Sequence, residues 1–320
     1  MLRKLQFFLL LGTVFIIFFA IVHWDDVKDG TFYLHVASSL PEVPASMTSS
    51  ERRTSEDSFI WKQSSRSVKP NLTIITSHLK HDQANSSLNF PGKFKTFDQI
   101  PRKALDHLIV DDHHGVIYCF VPKVACTNWK RVMIVLRFWR LFGRFSRPLM
   151  HHRLQNYTKF LFVRDPFVRL ISAFRNKFAL PNEEFYKKYA STMLQQAFAA
   201  GIRLSFTHFI QYLLDPQTEK VKPFNEHWQQ MYRLCHPCQI DYDFVGKLET
   251  LDEDTEHLLR ILGLDNQIHF PPGYRNRTAV NWERDWFANI SVADRRKLYN
   301  LYEADFRLFG YDKPETLLHK

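Results

Sequence analysis

Blocks of apolar residues separated by polar turns run through the last two thirds of this 320-residue chain. Three short blocks, residues 116–121, 157–163 and 242–248, predict buried strands because turn residues bound them. Longer stretches with apolar positions at helical spacing predict helices at 97–108, 167–178, 182–196, 206–214, 251–262 and 292–309. Strands that alternate with helices predict an α/β fold with a parallel sheet flanked by helices.

The first 24 residues have a different pattern. Arg3 and Lys4 precede an uncharged apolar run that lasts until Asp25, long enough to cross a bilayer as a helix. A cleaved signal peptide is the alternative, but bulky residues stand where a small-residue cleavage site would be. We therefore predict a cytosolic tail at 1–4, a transmembrane signal anchor at 5–24, and a lumenal remainder, because basic residues stay cytosolic.

Residues 25–90 are polar and rich in serine, without sustained periodicity. This composition predicts a flexible lumenal stem, followed by a catalytic domain at 91–320. Five N-glycosylation sequons, at Asn71, Asn85, Asn156, Asn276 and Asn289, agree with a lumenal location.

The charge balance adds a partner class. The net charge is +10, with a sequence pI of about 9.4, which favours an anionic partner such as nucleic acid, acidic lipid or an acidic polysaccharide. A lumenal location argues against nucleic acid and leaves a polysaccharide or a membrane surface.

Four cysteines allow three pairings in an oxidising lumen. Cys119 and Cys126 lie in the first strand region, whereas Cys235 and Cys238 form a C-x-x-C pair. That pair is compatible with a local disulfide, with buried thiols or with half of a zinc site, although a second C-x-x-C is missing. Asp111–Gly115 is predicted to be a turn whose histidines, His113 and His114, are solvated. We predict no metal centre.

The segment after the first strand predicts an anion site. Pro122 ends the strand, Lys123 supplies a positive charge, and a helix begins near Thr127, so that its first N–H groups and its dipole face the loop. The loop lacks the glycines of a nucleoside triphosphate loop, and a nucleoside triphosphate is therefore not the expected ligand. No H-R-D or D-F-G pattern supports a lumenal kinase.

A second polar cluster follows the 157–163 strand. Arg164 stands at the strand end, Asp165 is a natural helix N-cap and Pro166 a natural first helical residue. Because ligands bind at the carboxyl ends of strands in α/β sheets, both clusters are expected to meet in one crevice. A salt bridge with Asp165 is the alternative for Arg164, and Arg169 and Arg175 are expected to be solvated.

The two clusters together resemble known motifs. PKVACTNWK at 122–130 resembles the 5′-phosphosulfate loop of Golgi carbohydrate sulfotransferases, and RDPFVRLIS at 164–172 resembles their 3′-phosphate motif. The closest resemblance is to the chondroitin/dermatan 4-O-sulfotransferases, from about Phe97 to the C-terminus. It implies a single-pass type II Golgi membrane enzyme that moves sulfate from 3′-phosphoadenylyl sulfate (PAPS) to position 4 of N-acetylgalactosamine in chondroitin, with dermatan as a second acceptor.

The resemblance also implies site roles. Arg164 and Ser172 correspond to the residues that bind the donor 3′-phosphate. The two motifs together give the following candidate donor-binding residues: Pro122, Lys123, Val124, Ala125, Cys126, Thr127, Asn128, Trp129, Arg164, Asp165, Pro166, Phe167, Val168, Arg169, Leu170, Ile171 and Ser172. Arg275 and Arg277 are weaker candidates for closing over the nucleotide, with exposed loop charges as the alternative.

Sulfuryl transfer needs positive charge at the bridging oxygen and a base for the acceptor hydroxyl. We assign the first role to Lys123. His227 is the first candidate for the base, because Glu226 beside it could orient it or raise its pKa. Glu226 is the second candidate and His151 with His152 the third, whereas a packed His227 is the structural alternative.

The basic and aromatic segment 137–153 has two interpretations. It is either an amphipathic segment whose arginines extend to solvent, or an acceptor surface for a polyanion with Arg140, Arg144 and Arg147. The chain departs from the family pattern after Leu136 and after Met193, where it is shorter. An inactive polyanion-binding membrane protein, or a sulfotransferase for another glycan, therefore remains as an alternative function.

Overall fold

The computed structural model describes residues 95–136, 139–179, 204–271 and 282–319. Five strands form one sheet: β1 (Leu108–Asp111), β2 (Val116–Cys119), β3 (Trp139–Leu141), β4 (Thr158–Val163) and β5 (Phe244–Lys247). The α-helices are α1 (Cys126–Val135), α2 (Arg147–Asn156), α3 (Pro166–Phe174), α4 (Phe206–Leu214), α5 (Thr218–Val221), α6 (Met231–Cys235), α7 (Leu251–Ile261), α8 (Trp282–Phe287), α9 (Val292–Leu308) and α10 (Glu315–His319). Short 3₁₀ turns lie at Phe97–Gln99, Arg102–Leu105 and Phe142–Arg144, and a π-helical turn at Arg175–Ala179.

The strand order is β3-β1-β2-β4-β5, and the sheet is mixed. Strands β2, β4 and β5 are parallel, whereas β1 pairs antiparallel with both β2 and β3. The predicted all-parallel sheet is therefore correct only for its central and β5-side strands. The three predicted strands are confirmed, each shorter by one to three residues than its apolar run.

The predicted helix at 97–108 is wrong. Two 3₁₀ turns separated by Pro101 occupy its start, and Leu108 instead begins β1. The apolar spacing of Ile100, Leu105 and Leu108 fits a helix, but β1 gains backbone partners by pairing with β2 through the 112–115 turn. Gly115 enables that turn because it adopts a positive φ of 63°.

Other helix predictions are confirmed with small shifts of their ends. These are the helix after Pro122, the helix after Arg164, and those now defined as α4, α7 and α9. A further helix, not among those predicted, lies at Trp282–Phe287. The predicted helix at 182–196, the anchor and the stem lie outside the described residues. Within the described ranges, no helix is both long and apolar enough to span a bilayer.

Two apolar clusters hold the helices against the sheet. The larger one contains the inward side chains of β1, β2 and β4 together with Trp129 of α1. The second one joins α3, α4 and α9 through residues such as Phe167, Trp228 and Tyr302. A disulfide between Cys119 and Cys235 links the end of β2 to the end of α6. The local Cys235–Cys238 bond is therefore not formed.

Candidate active site

The loop between β2 and α1 turns sharply without glycine. Lys123 and Ala125 both adopt left-handed backbone conformations, with φ values of 71° and 51°. Val124 between them is fully buried in the core and anchors the loop. Ala125 occupies the N-cap position of α1, and no side chain of the described part caps this ten-residue helix. The first N–H groups of α1 therefore lack an intrahelical partner and can bind an anion.

Arg164 brings the second motif to this loop. It directly follows β4, its side chain is buried, and Nη1 lies 3.4 Å from the carbonyl oxygen of Lys123. Burial lowers the pKa of Arg164, and the nearby carboxylates of Glu249 and Asp165 oppose that shift. The predicted N-cap is confirmed, because Asp165 Oδ1 accepts hydrogen bonds of 2.9 Å from the N–H groups of Phe167 and Val168. The two strand-end motifs thus meet, as expected.

Arg169 is buried and not solvated, which corrects the prediction for this residue. Only 1% of its surface is exposed. Nε donates to the carbonyl of Pro122 at 3.0 Å, and the two Nη atoms donate to the carbonyls of Gln229 and Glu226 at 2.7 Å each. One guanidinium group therefore joins the loop before α1 to the segment that carries Glu226 and His227. Its side chain serves this connection and not a ligand.

Helix α9 holds the same segment from the other side. The buried carboxylate of Asp305 accepts from the N–H groups of Met231 and Tyr232 at 2.7 and 2.9 Å. Burial raises the pKa of Asp305 to about 6, although these hydrogen bonds and Arg169 oppose the shift. The hydroxyl of Tyr302 donates to the carbonyl of Trp228. Residues 226–232 are therefore fixed by side chains from α3 and α9.

His227 lies among cationic groups. Its pKa is lowered to about 3 by burial and then by the positive charge of Lys177, with smaller effects of Lys123 and Arg169, while Glu226 raises it. Nδ1 lies 2.6 Å from Oδ1 of Asn225, which also accepts from the His227 N–H at 3.1 Å. Asn225, and not Glu226, therefore orients the ring. This contact assigns the proton to Nδ1 and the lone pair to Nε2, the form that a base needs.

Glu226 forms an ion pair with a histidine that sequence reasoning missed. Nε2 of His107 lies 3.2 Å from Oε2 of Glu226, and Nδ1 lies 2.8 Å from the carbonyl oxygen of Phe120. Both ring nitrogens of His107 therefore face acceptor oxygens. The hydrogen bond to His107 lowers the pKa of Glu226 to about 2, against the effect of burial. Glu226 is therefore a carboxylate held by His107.

Lys177 is a second missed residue. It lies in the π-helical turn after α3 and is 6% exposed, and among the cationic groups its charge lowers the pKa of His227 the most. Lys177 directly precedes Phe178 and follows Phe174 by three residues, and this position beside two phenylalanines was the available sequence signal. The position of His107, by contrast, depends on the pairing of β1, which the sequence did not reveal.

The remaining candidates divide between core and surface. Ser172 is half-buried on α3, and the short side chains of Cys126 and Thr127 are half-buried at the start of α1. Five candidates have side chains that pack in the apolar clusters, so any contact with a donor would come from their backbone: Val124, Trp129, Phe167, Leu170 and Ile171. Asn128 is buried and its amide donates to the carbonyl of Pro271 at 3.4 Å.

The proposed acceptor arginines do not form one group. Arg140 and Arg144 are exposed, whereas Arg147 donates to the carbonyls of Phe97 and Ile100 and so has a structural role. His151 pairs with Asp98 at 2.8 Å on the exposed side of α2, and His152 contacts Asn156. Neither histidine has a contact with residues of the loop before α1 in the described structure. Arg275 and Arg277 lie outside the described residues.

The prediction that both histidines of the 112–115 turn are solvated is correct for His113 and wrong for His114. His114 Nδ1 lies 2.6 Å from the buried carboxylate of Asp111, while His113 is exposed. Across residues 95–136, 139–179, 204–271 and 282–319, no group of three or more histidine, cysteine or acidic side chains is arranged to hold a metal ion.

Comparisons with known proteins agree with this site. The model of the sulfotransferase family matches residues 106–312. Carbohydrate sulfotransferase 12 of Mus musculus is 48% identical, with 99% of each chain covered, and the Xenopus laevis protein of the same name is 45% identical over 96% of this chain and 97% of its own. Carbohydrate sulfotransferase 11 of Rattus norvegicus is 40% identical over 77% of this chain and 78% of its own. No solved structure matches the chain.

The family match includes both strand-end motifs, the Arg169 connection and the segment with Glu226 and His227. A cationic anion-binding loop beside a neutral, buried histidine and a carboxylate is suited to the transfer of an anionic group to a hydroxyl. The family implies PAPS as the sulfate donor. This chain belongs to the sulfotransferase family, and it is a PAPS-dependent sulfotransferase.

Proposed function

We propose that the protein transfers sulfate from PAPS to the 4-hydroxyl of N-acetylgalactosamine in chondroitin. The observation that carries this proposal is the connection at Arg169, which fixes the anion-binding loop and the Glu226–His227 segment next to each other. The names of the relatives, carbohydrate sulfotransferases 12 and 11, support a glycan acceptor. The net charge of +10 suits a polyanionic chain such as chondroitin, with dermatan as a related acceptor.

The residues of the first loop fit the anionic end of the donor. PAPS supplies an activated sulfuryl group, with a phosphate on each side of its nucleoside. The N–H groups at the start of α1 and the Lys123 ammonium would hold the phosphosulfate, and Lys123 would stabilise charge on the bridging oxygen. Arg164 and Ser172 would hold the 3′-phosphate, which distinguishes this donor from ATP.

The acceptor hydroxyl would be activated beside Glu226 and His227. With its proton on Nδ1, His227 can accept the hydroxyl proton at Nε2. Its low pKa makes it a weak base in the ligand-free site, and a bound polyanion would raise that pKa by offsetting the charges of Lys177 and Lys123. Glu226 is the second candidate base, although its ion pair with His107 stabilises the carboxylate.

The test is sulfate transfer by the full chain from labelled PAPS to desulfated chondroitin, dermatan and heparan, followed by disaccharide analysis. We expect label on position 4 of N-acetylgalactosamine. Label on another position or another glycan would refute the substrate assignment but keep the reaction class. Tighter binding of ADP than of adenosine 3′,5′-bisphosphate would refute the donor assignment.

A second candidate function is a polyanion-binding protein without turnover. The alignment with the mouse relative extends over 413 positions, more than the 320 residues of this chain, so it contains positions that have no residue here. The sequence places shortened segments after Leu136 and Met193, where an acceptor groove could be affected. Intact binding of adenosine 3′,5′-bisphosphate and chondroitin, without transfer to any glycan, would favour this candidate.

We further propose that the protein is a single-pass type II membrane protein of the Golgi. The apolar run at 5–24 after Arg3 and Lys4 supports the anchor, and a disulfide is expected to persist in an oxidising lumen. Glycosidase-sensitive modification of Asn289, which is exposed, and colocalisation with Golgi markers are the expected results. A cytosolic, unglycosylated protein would contradict this proposal.

A further inference from the structure

Lys130 on α1 is a lysine whose ammonium group rests on an aromatic ring near the candidate site. Its Nζ lies 3.7 Å from the centre of the Phe120 ring, a cation–π distance. The other neighbour of that ring is His107, with ring centres 4.5 Å apart, and His107 pairs with Glu226. Lys130 and Phe120 are both half-buried. The Phe120 ring thus contacts both this lysine and the histidine that pairs with Glu226, a candidate base.

No carboxylate satisfies this lysine within the part of the chain that the structure describes. Lys130, Phe120, His107 and Glu226 form a series of successive contacts, and in that series the carboxylate of Glu226 pairs with His107. Arg131, the next residue along α1, is exposed and lies on a different side of the helix, because successive helical residues are about 100° apart. The Lys130 ammonium is therefore pre-positioned for an external anion.

The chemistry of the acceptor indicates which anion this is. Chondroitin alternates N-acetylgalactosamine with a uronic acid, so a carboxylate lies one glycosidic bond away on either side of the reacting sugar. The candidate bases place the reacting hydroxyl near Glu226, and Lys130 is linked to Glu226 through the contacts of Phe120 and His107. The donor, by contrast, has its own cations in Lys123 and Arg164, which the loop contact holds together.

We propose that Lys130 binds the carboxylate of the uronic acid next to the reacting N-acetylgalactosamine and thereby selects uronate-containing chains over neutral glycans. This inference rests on the proposed function. An ammonium that is restrained by an aromatic ring loses less side-chain freedom on binding, so that its contact with the carboxylate is stronger than that of a freely moving lysine.

The test compares Lys130→Gln with the wild-type protein on chondroitin and on chondroitin whose uronates have been reduced to neutral sugars. On chondroitin, KM of the variant should rise about tenfold. KM for PAPS should stay the same, and on the reduced polymer the two proteins should have equal KM values. Lys130→Arg, which keeps the charge, should recover most of the loss. The matched control Arg131→Gln, one residue away and also losing one charge, should behave as wild type.

Three results would overturn the inference: an unchanged KM for chondroitin, an equal increase on the reduced polymer, or a change in KM for PAPS alone. Calorimetric binding of unsulfated chondroitin oligosaccharides, intact and reduced, to both proteins needs no turnover and separates this inference from the proposed function. Equal affinity of Lys130→Gln and wild type for the intact oligosaccharide would reject the uronate contact even if no sulfate were transferred.

Discussion

Arg164 shows what one buried charge can contribute at the residue scale. It is mostly desolvated and lies against the loop that carries Lys123, so a bound phosphate would gain a strong charge-assisted contact. We expect Arg164→Ala to weaken the binding of adenosine 3′,5′-bisphosphate by roughly 2–5 kcal/mol, measured by calorimetry. Arg175→Ala is the control, because Arg175 is exposed. Unchanged affinity in Arg164→Ala would remove it from the donor site.

The low pKa of His227 predicts how the free energy of unfolding depends on pH. Its pKa is about 3 in the folded protein and near 6.5 when unfolded, so the unfolded chain takes up a proton that the folded one excludes. Stability from this group is complete above pH 6.5 and is lost as the pH falls toward 3. Between pH 7 and 5, His227→Gln should therefore lose roughly 1–2 kcal/mol less stability than wild type in urea unfolding.

The exposed residue His113 provides the control for this experiment. His113→Gln removes an exposed histidine outside the candidate site, and its unfolding is measured under the same conditions. A wild-type slope in His227→Gln would show that the ring is protonated in the folded protein. Catalysis gives a separate measurement: near-normal kcat in His227→Gln would eliminate it as the base and favour Glu226.

At the scale of elements, the site depends on α3 and α9 holding the 226–232 segment, which is irregular up to Gln230 and then begins α6. Arg169 makes three hydrogen bonds to carbonyls of two different segments, a task that a lysine cannot perform because its single ammonium lacks the planar fork. We expect Arg169→Lys to remain folded, to lower kcat at least tenfold, and to weaken binding of adenosine 3′,5′-bisphosphate.

The combination of effects identifies a positioning role. A residue that only stabilises the fold would lower the unfolding midpoint and leave kcat of the folded fraction unchanged. The control is Arg175→Lys on the exposed turn after α3. It should leave kcat, the affinity for adenosine 3′,5′-bisphosphate and the unfolding midpoint as in wild type. Wild-type kcat in a correctly folded Arg169→Lys protein would show that the loop and the 226–232 segment keep their places without it.

At the scale of the whole molecule, the Cys119–Cys235 bond spans 116 residues of the chain. A cross-link of that length restricts the unfolded state strongly, and the double variant Cys119→Ser/Cys235→Ser should lose roughly 2–5 kcal/mol in urea unfolding. Cys238→Ser should unfold at the wild-type midpoint. Peptide mapping without reduction should recover Cys119 joined to Cys235, whereas a Cys235–Cys238 peptide would contradict the structure.

Much of the fold, and the geometry of the two strand-end motifs, could be predicted from local sequence. The strands that became β2, β4 and β5, the helices after them and the cap at Asp165 all follow from apolar spacing and from short-range backbone chemistry. The proximity of Lys123 and Arg164 followed from one rule, that parallel strands end at the same edge of a sheet.

The sequence failed where distant segments compete for the same residue. Leu108 fits a helical pattern by its neighbours, but backbone pairing with β2 places it in a strand and delivers His107 to Glu226. Arg169 has the spacing of a solvated helical residue. Its side chain is instead buried and donates hydrogen bonds to three carbonyl groups. No local pattern encodes such contacts, because they join residues 47 to 60 positions apart.

The sequence by itself therefore determined the α/β class, the family motifs and the donor-side charges, since these depend on periodicity, capping and residue type within a few positions. Only the tertiary structure decided the antiparallel β1 and β3 strands, the disulfide partner of Cys119, and the network of His107, Arg169 and Lys177 around the candidate bases. The physical reason is that burial, pairing and the electric field at a side chain are set by residues far away in the chain.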